Sequence, residues 1–213
     1  MTRVAAVAGG TGLVGRCILD GLLADRSVTA VHALGRRAAS ISHPKLTWRV
    51  VDFAALPALP EMDEVYLALG TTIKTAGSQA AFRAVDFDAN LAVARAAYAA
   101  GARRAGLVSA MGADAKSRVF YNRVKGELED ALADIGFDGL VIARPSLLVG
   151  DREALGQPAR PLEKLGLAAT KVVGGLIPGN YRPIRADEVA RALLDRVPVY
   201  EGRTVLLSGS LGR

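Results

Sequence analysis

Apart from its first residue, the segment Arg3–Ala8 is an unbroken apolar run, the pattern of a strand buried on both faces rather than one. A glycine-rich turn follows. Leu13, Val14, Cys17, Ile18 and Leu22 then recur at helical spacing as far as Asp25. Residues 27–34, 46–51, 65–69, 105–108 and 140–143 read as further strands. A long alanine-rich helix is predicted over residues 78–100, ended by Gly101, and a second over 117–135, ended by Gly136. Residues 186–197 read as another helix and 204–207 as a late strand.

Strands alternating with helices require crossover connections, and these build a parallel sheet covered on both faces. The expected fold is therefore α/β: a Rossmann-like, doubly wound parallel sheet in three layers. The whole chain, 1–213, is expected to form one domain. Proline and glycine interrupt the rhythm over residues 151–183, which read as a substrate-side lid or insertion. There Leu162, Leu165, Leu167, Val172, Val173, Leu176 and Ile177 suggest an apolar lid, although packing on the sheet would give the same stripe.

Composition narrows the chemistry. One cysteine, Cys17, forbids an internal disulfide, and the lack of a signal-peptide layout favours a cytoplasmic protein. Two histidines outside any ligand-spaced motif argue against a metal site. No apolar run approaches the ~18 residues of a membrane span. The net charge of +6 is scattered among acids, without the basic stripe or interleaved aromatics that nucleic-acid binding needs.

The first turn reads Gly9, Gly10, Thr11, Gly12, Leu13, Val14 and Gly15, a G-x-x-G-x-x-G sequence between the first strand and the first helix. In that context it has the form of a dinucleotide fingerprint. Gly9 allows the tight turn, Gly12 the approach of a pyrophosphate, and Gly15 the packing of helix on strand. An NAD-preferring protein carries a carboxylate at the end of the second strand. Here Arg36 and Arg37 stand at that point, and two guanidiniums suit a 2′-phosphate, so NADP(H) is expected in preference to NAD(H). Asp52, beside Phe53 after the third strand, could accept the adenine amino group.

Tyr121 and Lys125 form Y-x-x-x-K, which places both on one helix face. A nearby ammonium favours the phenolate, and such a tyrosine can exchange a proton with a carbonyl oxygen as hydride moves. Ser109, at the end of the fifth strand, could hydrogen-bond the same oxygen.

These motifs, with Arg144 and Pro145 after the sixth strand, resemble the short-chain dehydrogenase/reductase superfamily over nearly the whole length. The stretches 69–72, 76–78, 108–114 and 121–127 resemble the Tat-interacting-protein branch of its atypical members. That resemblance implies an NADP(H)-binding Rossmann fold and a catalytic set of Ser109, Tyr121 and Lys125, with Lys125 also on the nicotinamide ribose. It implies that Leu69, Gly70, Thr71 and Thr72 line the cofactor cleft and that Pro145, Ser146 and Leu147 touch the nicotinamide end. The superfamily often carries Asn in the helix after the fourth strand; this chain has Asp86 there, with Asn90 four residues on. Two functions remain open: an NADP(H)-dependent oxidoreductase acting on a carbonyl or alcohol, and a non-catalytic NADPH-binding regulator acting through protein partners. The two long helices could also pair in a homodimer.

Overall fold

The computed structural model describes residues 2–149 and 179–211. β1 (Arg3–Ala8) is central, and its side chains alternate between two cores. Ala5 and Val7 belong to one and Ala6 and Ala8 to the other, which is why its sequence shows no polar face. Around it, β2 (Val28–Gly35), β3 (Leu46–Val50), β4 (Glu64–Leu67), β5 (Arg104–Val108), β6 (Gly139–Arg144) and β9 (Gly202–Leu207) complete a seven-stranded sheet. The order is β3-β2-β1-β4-β5-β6-β9 and every pairing is parallel. A separate short pair, β7 (Leu148–Val149) with β8 (Ile184–Arg185), is also parallel.

Helices cover both faces, as doubly wound sheets require. On one face lie α1 (Leu13–Ala24) and α6 (Ala186–Arg196), which bury Ile18, Leu19 and Leu22 against Val189 and Leu193. On the other lie α4 (Asn90–Ala99) and α5 (Phe120–Ala133), which bury Val93, Ala94, Leu128 and Leu132. Two short helices, α2 (Ile73–Ala76) and α3 (Gln79–Arg83), precede α4, and a four-residue α7 (Ser208–Leu211) follows β9.

The helix expected over residues 78–100 is not uniform. Between α3 and α4 the segment Ala84–Ala89 is π-helical, the wider turn that accompanies functional sites more often than plain helix. Its effect is to bury Asp86 and Asn90 together. The expected lid, residues 151–183, falls almost wholly outside the described residues; of it, Gly179–Tyr181 is a 3-10 turn, and β8 begins just after it at Ile184.

The chain reverses direction between β1, which leads outward to β2 and β3, and β4, which starts the other half. Ligands of such sheets bind in the crevice at the carboxyl ends of the strands flanking this switch. Here that crevice lies between the exits of β1 and β4, with the loops at Gly9 and Gly70 on its two sides.

Candidate functional site: a dinucleotide cleft with a buried ion pair

Three glycines of the first loop differ in what surrounds them. Gly9 has φ +92°, and a Cβ there would lie 2.5 Å from the Ala68 carbonyl oxygen. A Cβ on Gly15 would lie 2.1 Å from the Gly9 carbonyl oxygen, so α1 can dock on the loop only through glycine. Gly12 is different: among the described residues its Cβ would meet Gly9 O at 3.2 Å and Ala68 O at 3.9 Å. Among the described residues nothing else stands within 4 Å of that position. Gly12 also begins α1 without any side-chain cap, and the first helical bond runs from Arg16 N–H to its carbonyl. The N–H groups of Leu13, Val14 and Gly15 therefore precede the ladder and face an anion with the positive end of the helix dipole. The side chains of Leu13 and Val14 are buried in the core, so their share is backbone only. A pyrophosphate fits this cradle.

At the end of β2, Trp48 organises the turn. Its indole N–H donates to the Arg37 carbonyl at 2.9 Å, and its ring lies 2.8 Å from where a Cβ on Gly35 would stand. The same ring lies under Gly10, 3.5 Å from the position of a Cβ there. Trp48 thus holds the backbone of the phosphate loop and of the arginine turn together. Arg36 and Arg37 are exposed, and neither forms an ion pair among the described residues. Asp52 accepts the Ala54 N–H at 3.0 Å and so caps its own turn, while Phe53 packs on the core.

At the other end of the cleft Lys125 is buried, and its Nζ lies 2.8 Å from Asp86 Oδ1. This is a close contact of opposite charges with both side chains buried. Asp86 Oδ2 accepts the Thr71 N–H at 2.8 Å. Asn90 donates from Nδ2 to the carbonyls of Leu69 (3.1 Å), Asp86 (3.1 Å) and Val85 (3.3 Å). The strand exit at Leu69, Gly70 and Thr71 is therefore tied to the π-helical turn from two sides. Thr72 caps α2 through its hydroxyl. Burial pulls the Lys125 ammonium down, but Asp86, Tyr121 and Glu129 outweigh it and hold the group above its ordinary range.

Tyr121 is half-buried one turn before Lys125, its ring 5.4 Å from that of buried Phe82 at a tilt of 43°. Ser109 is buried too, but its hydroxyl donates to Glu129 Oε1. Glu129 is fully buried and accepts from Arg144 Nε at 3.0 Å and Nη2 at 2.6 Å. In this arrangement the Ser109 hydroxyl is directed at Glu129. Beyond Pro145, the Ser146 N–H donates to Ser208 Oγ at 2.7 Å and the Leu147 carbonyl accepts from Ile184 at 2.9 Å. That segment is held by the C-terminal part of the chain.

Residues 9–153 match a family described as NAD(P)H-binding. The chain belongs to this NAD(P)H-binding family. Among curated relatives, the mitochondrial fmp52 protein of Emericella nidulans is 39% identical over 173 residues, covering 76% of this chain and 72% of that one. The FMP52 protein of Candida albicans, also named mitochondrial, is 31% identical and covers 89% and 85%. These names overturn the cytoplasmic expectation: absence of a recognisable leader is weak ground for a compartment, and both relatives are named for the mitochondrion. Among the described residues no helix is long and apolar enough to cross a membrane. The fold is that of a UDP-N-acetylglucosamine 4-epimerase from Methanobrevibacter ruminantium, with a TM-score of 0.73 at 18% identity, covering 97% of this chain and 76% of that chain. The WbmH enzyme of Bordetella bronchiseptica, solved with NAD+, gives 0.70 at 17%, over 97% and 76%. The short-chain dehydrogenase/reductase resemblance therefore stands at the level of the fold.

Within this NAD(P)H-binding chain the structure brings the glycine loop, Gly70, Thr71 and Lys125 to the switch point, with Tyr121 one turn before Lys125 on α5 and the arginine turn after β2. Trp48, Phe82 and Glu129 fall in no sequence motif, and Asp86 and Asn90 stand out in the sequence only as departures from the superfamily pattern. Glu129 had a signal: it falls four residues after Lys125, on the same stripe as Leu128 and Leu132, where a charge needs a buried partner.

Proposed function

We propose that this chain is an NADP(H)-dependent oxidoreductase acting on a carbonyl or alcohol. The observation that carries the reading is the buried, ion-paired Lys125 beneath Gly70 at the carboxyl end of the sheet, one turn after Tyr121 and on the same crevice as the glycine loop that begins α1. The dinucleotide supplies the hydride when bound. Gly12 and the N–H groups of Leu13, Val14 and Gly15 receive its pyrophosphate, and Arg36 and Arg37 receive the 2′-phosphate that distinguishes NADP. Lys125 holds the ribose end, fixed by Asp86. Tyr121, its ring set by Phe82, gives a proton to the substrate oxygen or takes it in reverse.

The test is to measure NADPH and NADH binding by calorimetry and then follow NADPH absorbance across aldehydes, ketones and quinones. Tight NADPH binding with turnover of any of them supports the reading; no dinucleotide binding would sink it. One observation favours a second reading, a cofactor-binding regulator: the Ser109 proton goes to Glu129 and leaves the substrate oxygen with one donor fewer. NADPH binding without turnover on the whole panel would select it.

A further inference from the structure

We propose that Asp86 sets which redox state of the nicotinamide this chain prefers, by cancelling the charge of Lys125 and so favouring the oxidised, positively charged ring. This rests on the reading of the Tyr121–Lys125 end as the nicotinamide end. Asp86 is 1% exposed and Lys125 4% exposed, and they meet at 2.8 Å. Both lie directly beneath Gly70, which is exposed: a Cβ there would stand 3.5 Å from Asp86 Oδ1 and 3.9 Å from Lys125 Nζ. No side chain at position 70 screens the pair from the cleft.

The two oxygens of Asp86 have different partners. The contact of Oδ2 with the Thr71 N–H could be made equally by an amide oxygen. Oδ1 faces the Lys125 ammonium at 2.8 Å and is its counter-charge. Replacing the carboxylate by an amide would leave a buried, uncompensated ammonium in the wall of the cleft. The oxidised nicotinamide ring carries a positive charge and the reduced ring carries none. A fixed charge in the wall therefore acts on one form and not the other. With Asp86 present the pair is neutral and the oxidised ring meets no net repulsion. The other charged group on this helix face, Glu129, is occupied by Arg144 and cannot substitute.

The experiment is calorimetric titration of the intact chain with NADP+ and with NADPH, read as the ratio of the two affinities, for wild type and Asp86→Asn. The expected result is a loss of NADP+ affinity relative to NADPH of roughly three- to thirty-fold in the variant, the scale of one charge acting through a partly buried medium. A merely structural role would weaken both forms together and leave the ratio unchanged, which would overturn the proposal. If Asp86→Asn does not fold, Lys125→Gln is compared with the double variant Asp86→Asn/Lys125→Gln, which removes the Asp86 charge without stranding an ammonium. The double variant must then favour NADPH more than the single does; equal ratios overturn the proposal. Failure of wild type to bind either nucleotide overturns the cofactor reading and this proposal with it. Binding of both with an unmoved ratio overturns this proposal alone.

Discussion

Ser109 donates its hydroxyl proton to Glu129, and both side chains are buried. The bond joins the end of β5 to the middle of α5, and Arg144 at the end of β6 closes the same cluster from the other side. Ser109→Ala should therefore behave as the loss of a buried, charge-assisted hydrogen bond, costing about 1–3 kcal/mol of stability. Turnover of whichever carbonyl substrate the panel identifies should fall less than tenfold. Denaturant melts and steady-state rates of the variant check this; a normal melt with a rate loss of a thousandfold would return Ser109 to the catalytic set.

Glu129→Gln tests the same cluster from its centre. Breaking a buried pair on one side is strongly destabilising, by ~3–5 kcal/mol, because Arg144 is left without its counter-charge. The variant should melt well below Ser109→Ala. Equal melting temperatures would show that solvent reaches Arg144 and that the cluster contributes little.

Gly12 and Gly15 should separate binding from folding. Among the described residues Gly12→Ala meets two backbone oxygens, the nearer at 3.2 Å, and its φ of −79° suits any residue. The chain should fold while losing both NADPH and NADH, because the new methyl stands where the pyrophosphate comes closest. Gly15→Ala drives a methyl to 2.1 Å from the Gly9 carbonyl, so the helix must move and the fold itself should suffer. Circular dichroism melts and calorimetry on the two variants decide it; normal NADPH binding by Gly12→Ala would reduce the loop to a plain turn.

The pattern of buried strands and amphipathic helices was legible because it follows from local periodicity. β1 feeds two cores and shows it by having no polar face, and α1 shows its buried stripe in Ile18, Leu19 and Leu22. The glycine loop and the Tyr121–Lys125 spacing were legible for the same reason, being short-range. What escaped was everything decided by contacts distant in sequence. Nothing local says that Asp86 faces Lys125, 39 positions later, or that Trp48 holds the turn at Arg37. The π-helical turn at Ala84–Ala89 escaped too, since alanine-rich sequence reads as uninterrupted helix and the wider turn is stabilised by the tertiary bonds of Asp86 and Asn90.

Cofactor preference should follow Arg36. Charge-assisted contacts to a 2′-phosphate are worth ~1.5–3 kcal/mol, so wild type should bind NADPH roughly ten- to a hundredfold more tightly than NADH. Arg36→Asp should lose NADPH and spare NADH. Calorimetry with both nucleotides reads it, and equal affinities in wild type would remove the preference.

Alkaline stability carries a signature of Lys125. Its ammonium is held above the ordinary lysine value of 10.5, so the folded chain keeps a proton that the unfolded chain releases. The stabilisation is fully present below 10.5 and fades as pH rises through the folded value. Buried Tyr66, also raised, adds a loss in the same region and is common to wild type and variant. The gap in melting temperature between wild type and Lys125→Met should therefore narrow above pH ~10.5. A constant gap across that range would mean that Lys125 does not hold its proton more tightly in the folded chain.

Tyr121 carries the chemical part of the proposal. Tyr121→Phe keeps the ring against Phe82 and removes only the hydroxyl, so the fold and the cleft should be unaffected. Loss of a positioned proton donor typically costs ~10²–10⁴ in kcat, and the variant should show that loss with NADPH affinity almost unchanged. Lys125→Met should damage both, because the ammonium holds the ribose end and its removal strands Asp86 as a buried carboxylate. A regulator that only senses NADPH would give the opposite pattern for the tyrosine: a silent Tyr121→Phe, with Lys125 mattering through binding alone. Single-turnover hydride transfer from saturating NADPH is the deciding measurement, since it isolates the chemical step from product release. An undiminished rate in Tyr121→Phe would strike the phenol from the catalytic set and leave the arrangement around Lys125 as a binding site only.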